Sequence, residues 1–459
     1  MVKSDRHSHA GAWEREKHMP AIRFEGFSEV WEECSLSKFV SSLDAGVSVN
    51  SGEKPADENE FGILKTSCVT NGVFEPYENK VVFETEEINR LKEPVLKNTI
   101  IISRMNTPAL VGANAYIDKD FDNYFLPDRL WAAKPSTIGD LQFIAYVLGS
   151  ANGRAALSEL ATGTSGSMKN ISKPAVFGLK FQAPSKKEQT KVGNYFQQLD
   201  TLIAQHQQKH DKLLNLKKAL LEKMFPRGAG ASANDELGVM KAEWNASDNS
   251  ALAKGVPEIR FKGFSGAWEE KALEDVGNST SGTSIESEFV NNGKYKVISI
   301  GSYSEDSVYT DQGIRADYSK KTKNRILNKN DLTMILNDKT LAGNIIGRVL
   351  LINESNAFIY NQRTQRIEPY EEKYDSQFLY QLLNAPLIRE KIFKNSQGNT
   401  QIYVNWSAIK KLIYLIPKTK EQTKIGNLFK NLDTLINQHQ SQLKKLGNIK
   451  QACLAKMFV

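Results

Sequence analysis

Residues 188–207 read EQTKVGNYFQQLDTLIAQHQ and residues 421–440 read EQTKIGNLFKNLDTLINQHQ, 15 identities in 20 aligned positions at an offset of 233. A second echo precedes each. Residues 20–27 (PAIRFEGF), followed by Trp31, Glu32 and Glu33, recur as residues 257–264 (PEIRFKGF), followed by Trp268, Glu269 and Glu270, at an offset of 237. A period this long exceeds the ~20–50 residues of solenoid and propeller repeats, so the chain is one domain-plus-helix unit duplicated in tandem. Such a chain has approximate internal two-fold symmetry, which suits a bipartite target.

At 459 residues there is room for about two to four domains, each with an ordinary core. The apolar fraction is 40% and the charged fraction 25%, a globular rather than a disordered composition. No run approaches the ~18 apolar residues of a membrane span. Residues 1–19 are polar, lack the apolar stretch of a secretory signal, and read as a disordered leader. The cysteines Cys34, Cys68 and Cys453 form no CxxC pair and have no metal-ligand spacing, which points to a cytoplasmic chain without structural disulfides or a metal. A net charge of +7 permits nucleic-acid binding without requiring it.

Two long helices are expected within the regions 186–226 and 418–459, each helix about 38 residues and roughly 55–60 Å long at ~1.5 Å per residue. The first has apolar or compatible positions at Val192, Phe196, Leu199, Ile203, His206, His210, Leu213, Leu216 and Leu220. The second has Ile425, Phe429, Leu432, Ile436, His439, Leu443, Leu446 and, after a slip, Cys453 and Met457. This is the seam of a helix paired along its length, with the other copy as partner. A simpler reading packs each helix on its own domain; the polar faces at Gln197, Gln198, Gln205, Lys209 and Lys217 argue against it. Glu188 and Glu421 suit the first helical turn, and Pro226 and Gly228 break the first helix. His206 and His210 stand at metal-binding i, i+4 spacing, but the second copy has His439 and Leu443, so they read as polar interruptions that fix register. Residues 227–256 are small and polar, a linker.

Residues 20–185 and 257–417 form two mixed units. Strands are expected at 80–84, 98–103, 295–300, 331–336, 347–352 and 356–360, and helices at 141–148 and 376–383. The middles of the units do not align although their edges do, as for related modules that recognise different things. Polar loops follow buried strands: Arg104, Asn106 and Thr107 in the first unit, Asn337, Lys339 and Thr340 in the second. Later stretches add Arg129, and Arg363, Gln365 and Arg366. A third pair of loops carries Thr164, Ser165 and Lys169, and Gln397 and Gln401. Such side chains contact base edges and phosphates, while solvated surface loops are the plain alternative.

Recognisable catalytic motifs are missing. There is no GxxxxGK[ST] phosphate loop, no Asn/Asp-Pro-Pro-aromatic tetrad of amino-methyltransferases, and no GxSxG or HExxH. A recognition subunit fits better than an enzyme.

The IRFxGFxxxW start of each unit, the EQxK(V/I)GxxFxxLDxLI start of each helix and the KMF at each helix end resemble the specificity subunit of type I restriction-modification systems, over roughly residues 20–459. The resemblance implies an α+β fold: two α/β target recognition domains in tandem, separated by two long antiparallel helices, with pseudo-two-fold symmetry. It implies that each domain reads one half of a split site in double-stranded DNA, with half-sites about one turn (roughly 10 bp) apart. Two modification (methyltransferase) subunits would dock along the helices and domains, and restriction subunits outside them. S-adenosylmethionine, ATP and Mg would sit on those partners and no cofactor on this chain. Two other readings are a stand-alone bipartite DNA-binding regulator and a coiled-coil scaffold.

Overall fold

A computed structural model describes residues 19–70, 72–163, 168–226 and 255–458. The expected leader apart from Met19, most of the expected linker, and Thr164 and Ser165 lie outside the described residues. The chain divides into two compact units, residues 1–207 with 441–459, and residues 208–440. Each unit therefore holds the start of one long helix and the end of the other. No helix among the described residues is long and apolar enough to cross a membrane.

The first unit is built on an antiparallel sheet in the order Asn114–Ile117, Thr99–Ser103, Leu130–Pro135, Val40–Ala45. Its central strand is covered on both faces, so it shows no polar alternation. Ile100 and Ile102 join a core with Trp31, Phe39, Leu43 and Phe143, while Ile101 joins another with Leu64, Ala115 and Ala132. That division follows from successive side chains pointing to opposite faces. A smaller mixed sheet, in the order Asn79–Val82, Phe61–Leu64, Phe121–Phe125, Pro94–Val95, contains one parallel pairing.

The second unit repeats this plan without repeating the sequence. Its main sheet runs Gly277–Ser281, Thr364–Pro369, Leu332–Ile335, Val349–Leu351, all antiparallel. Leu332, Met334 and Ile367 join the core of Trp268 and Phe378, whereas Ile335 and Leu350 turn to another. Its smaller sheet again holds one parallel pairing, Tyr295–Ile298 with Phe358–Tyr360. The middles thus share topology through burial pattern rather than residue identity.

The long helices are Lys186–Lys223 and Thr419–Met457. Each start is locked by the duplicated motif. Glu188, 1% exposed, takes two hydrogen bonds from Arg23; Glu421 takes the same two from Arg260. Gln189 accepts from the Asp140 backbone N–H and donates to the Pro184 carbonyl, as Gln422 does with Asp375 and Pro417. Asp140 and Asp375 in turn cap the helices Leu141–Gly149 and Ser376–Asn384 through Phe143 and Phe378 N–H groups. A Cβ on Gly193 would come to 3.1 Å from Phe143 N, and one on Gly426 to 2.8 Å from Asp375 Oδ1, so glycine is what lets each long helix approach the cap.

The seam is shared between two jobs. Val192, Phe196 and Leu199 enter the core of the first unit, and Ile425, Phe429 and Leu432 that of the second, so the first turns of each helix pack on the adjacent domain. Further along, helix pairs with helix. In the second unit Leu213 and Leu220 lie against the core, and Met224 and Phe225 are buried beside Trp268, Phe378 and Phe429. In the first unit Leu446, Cys453 and Met457 do the equivalent, with Phe458 against Phe143 and Phe196. Ile436 is buried; Ile203 and Leu443 are half-buried.

Two seam assignments are corrected. Leu216 is exposed, and Lys217, expected on the polar face, turns inward to Asp433 at 2.6 Å. The inward run is Leu213, Lys217, Leu220, Met224, an unbroken four-three-four stepping that places a lysine where an apolar residue was sought. Likewise Lys450 fills the supposed slip between Leu446 and Cys453 and meets Asp200 at 2.5 Å. The two bridges are repeats of each other with partners exchanged, and the two residue numbers in each pair add to the same total, the mark of one antiparallel register.

Candidate nucleic-acid interface

Three segments far apart in sequence converge at the end of the central strand of each unit. In the first, Arg104 N–H donates to the Arg129 carbonyl at 3.1 Å and Ile171 N–H to the Arg104 carbonyl at 2.9 Å. Met105–Asn106 pairs with Lys169–Asn170. In the second, Leu336 N–H donates to the Arg363 carbonyl at 2.8 Å and Val404 N–H to the Leu336 carbonyl at 2.9 Å. Asn337–Asp338 pairs with Ile402–Tyr403. The three expected loop groups are thus neighbours in each unit, held by equivalent backbone bonds.

Within these clusters the candidate side chains differ in access. Thr107, Arg129, Lys339, Thr340, Arg363, Gln397 and Gln401 are exposed. Arg104, Lys169 and Asn337 are half-buried. The Arg104 guanidinium lies 5.5 Å from the centre of the Trp131 ring, and Lys169 Nζ donates to the Gly163 carbonyl at 3.2 Å.

Three candidates are corrected. Asn106 is buried, donating to Ser103 Oγ and accepting from Thr107 N–H, so it braces the loop from inside. Gln365 and Arg366 belong to the strand Thr364–Pro369, not to a loop. Gln365 accepts from Ser281 Oγ at 2.7 Å, and Arg366 donates to Asp331 and Glu368 at 2.8 Å. Both are buried because their strand is interior to the sheet, which a run of polar residues concealed. Burial holds the Asp331 carboxyl above its ordinary range, opposed by the Asn328 N–H and the Arg366 charge.

Other residues shape the loops and carry no motif. Asp338 accepts from Thr340 N–H, Thr340 Oγ1 and Ile345 N–H, all at 2.9 Å, which closes the loop on itself. Arg363 sits at φ 67°, a left-handed conformation rare for a side chain other than glycine, asparagine or aspartate, at the turn by which the chain passes from Phe358–Tyr360 in the smaller sheet to Thr364–Pro369 in the main one. The turn is pinned from below. Glu286 accepts from Asn361 Nδ2 and Gln362 Nε2, both at 2.9 Å, and hydrogen bonds from Ser284 and Asn361 pull its carboxyl down to about 2. Exposed cations on braced loops can meet phosphates and base edges without ordering cost. Among the described residues, no group of three or more His, Cys, Asp or Glu could share a metal ion.

The family model described as type I restriction modification DNA specificity domain matches residues 29–215 and again residues 266–446. The type I restriction enzyme MjaVIII specificity subunit of Methanocaldococcus jannaschii is 24% identical over 285 residues, covering 61% of this chain. The match takes in 62% of that relative, under two thirds of its length. A crystal structure of the type I restriction-modification system S subunit from M. genitalium has the same fold, with a TM-score of 0.62 at 18% identity over 96% of this chain and 99% of that one. With one model matching both repeats and most of the sequence between their edges, the chain belongs to the type I restriction modification DNA specificity family.

Proposed function

We propose that this chain is the sequence-reading subunit of a type I restriction-modification complex, in which residues 20–185 read one half of a split DNA site and residues 257–417 the other. The observation that carries this is the loop cluster built twice, on the same sheet topology and the same backbone bonds, with different exposed side chains in each copy. Arg104, Thr107, Arg129 and Lys169 are the contacts proposed for one half-site. Asn337, Lys339, Thr340, Arg363, Gln397 and Gln401 are those for the other.

In this reading the chain performs no covalent chemistry. Modification subunits carrying S-adenosylmethionine bind along the helices, and restriction subunits supply ATP- and Mg-dependent steps, all in the cytoplasm. The helices, each starting in one unit and ending in the other, set the nonspecific spacer. Reading both half-sites at once would place adenines where partner methyltransferases can flip them.

The test is an exchange of residues 257–417 for those of a relative, followed by methylome sequencing. One half of the methylated sequence should change and the other persist. If both halves change together, the reading fails.

A further inference from the structure

The helices Ala151–Glu159 and Pro386–Phe393 each carry an arginine at the same repeat position, Arg154 and Arg389. Arg154 Nη2 donates to the carbonyls of Ala109 at 3.2 Å and Val111 at 3.0 Å. Arg389 Nη2 donates to the carbonyl of Asn344 at 3.1 Å, where Arg348 Nε adds a second bond at 3.3 Å. These carbonyls belong to the loops that present Thr107 in one unit, and Lys339 and Thr340 in the other. Each loop ends at a glycine in the left-handed region, Gly112 at φ 74° and Gly347 at φ 67°. A Cβ on Gly112 would stand 2.9 Å from Leu157 Cβ and 3.3 Å from Arg154 Nη1, and one on Gly347 would run into Ile392 Cγ2 and come to 3.4 Å from Arg389 Nη1, so each loop end lies close against the helix that carries the arginine.

Stability alone does not call for arginine at these places. Arg154 Nη1 and Arg389 Nε and Nη1 are buried with no hydrogen-bond partner among the described residues. Burial pushes both guanidinium groups down from the usual arginine range, Arg389 to about 9 with Arg348 adding to the effect, which still leaves Arg389 charged at neutral pH. A methionine, which keeps the apolar stem and ends short of the guanidinium nitrogens, would avoid the desolvation cost. What arginine adds is a rigid planar fork that can hold carbonyls of a loop lacking regular structure.

We propose that Arg154 and Arg389 are positioning residues, each fixing the shape of the base-reading loop in its own unit and so the stringency of one half-site. This rests on the functional reading above. The test uses the full chain assembled with its modification subunits and a duplex library randomised across both half-sites. Wild type should enrich one bipartite sequence. Arg389→Met should lose about tenfold or more of its discrimination in one half and keep the other, a loss of the size of one base-reading contact. Arg154→Met should do the same in the opposite half. The unfolding temperature of either variant should be unchanged or raised. An Arg389→Met chain that enriches the wild-type sequence with full stringency overturns the inference, as does equal blurring of both halves together with a lowered unfolding temperature. A wild-type chain that enriches no bipartite sequence overturns the functional reading, and this inference with it.

Discussion

Arg23 reaches across 165 residues of sequence to close a two-point ion pair on Glu188, with both N···O distances at 2.7 Å, and Arg260 does the same to Glu421. Both carboxylates are almost wholly buried, so removing one partner strands a charge. Glu188→Ala should cost about 3–5 kcal/mol, and Arg23→Met with Glu188→Leu should recover part of it, since a buried pair is worth little more than its apolar replacement. Thermal unfolding of the two variants checks this. A loss under about 1 kcal/mol for Glu188→Ala would make the clamp incidental.

The crosswise bridges Lys217–Asp433 and Lys450–Asp200 refine what a change of helix length should do. A heptad inserted after Gln208 alone leaves the other helix too short to keep both bridges. Heptads inserted after both Gln208 and Ser441, the repeat-equivalent positions, keep both. The paired variant adds about 10 Å at ~1.5 Å per residue and should favour a nonspecific spacer about three base pairs longer. Single-residue insertions rotate the seam by ~100° and should abolish assembly. Methylome sequencing reads the spacer directly, and an active paired variant with the original spacer would remove the helices as its determinant.

Arg363 and Arg366 are close in sequence and opposite in role. Arg363→Ala should weaken binding to the specific duplex by roughly 1–3 kcal/mol if it contacts a base edge, with little change in unfolding temperature. Arg366→Ala leaves Asp331 buried without its partner and should destabilise the second unit by about 3–5 kcal/mol. Fluorescence anisotropy and calorimetry separate the two. Equal effects of both substitutions on stability would contradict the assignment.

Acid should loosen the Arg363 turn. The Glu286 carboxyl titrates at about 2 in the folded chain, below the ordinary 4.5, so its stabilisation is complete above pH 4.5 and disappears as pH falls toward 2. The effect is small because Glu286 is largely exposed. The protection of the turn amides, taken relative to their intrinsic exchange rates, should fall across that interval and should not do so in Glu286→Gln.

The duplicated edges were legible because each residue in them has one structural duty. Arg23, Glu188, Gln189 and Gly193 clamp, cap and allow close approach, and such duties tolerate no substitution between copies. The long helices announced themselves by period. Lys217 and Lys450 did not, because a lysine at a seam position reads as solvent-facing until its aspartate is seen across the interface. Arg366 misled for a related reason: a string of polar residues looks like a loop, although Asp331, distant in sequence, converts it into a core strand. Arg154 and Arg389 were invisible, since the partners that give them meaning are backbone carbonyls, which no sequence records.

The burial of Met457 in the first unit's core, with half-buried Phe458 against Phe143 and Phe196, bears on biosynthesis. The first unit is translated early yet lacks part of its core until residue 457 has emerged, whereas residues 208–440 contain everything their own unit requires. The first unit cannot complete its core before then, and the apolar face on Phe143 and Phe196 stays uncovered in the meantime. A nascent chain of this design needs protection at its beginning until its far helix arrives, which makes the N-terminal half the one most exposed to chaperones and proteases during synthesis.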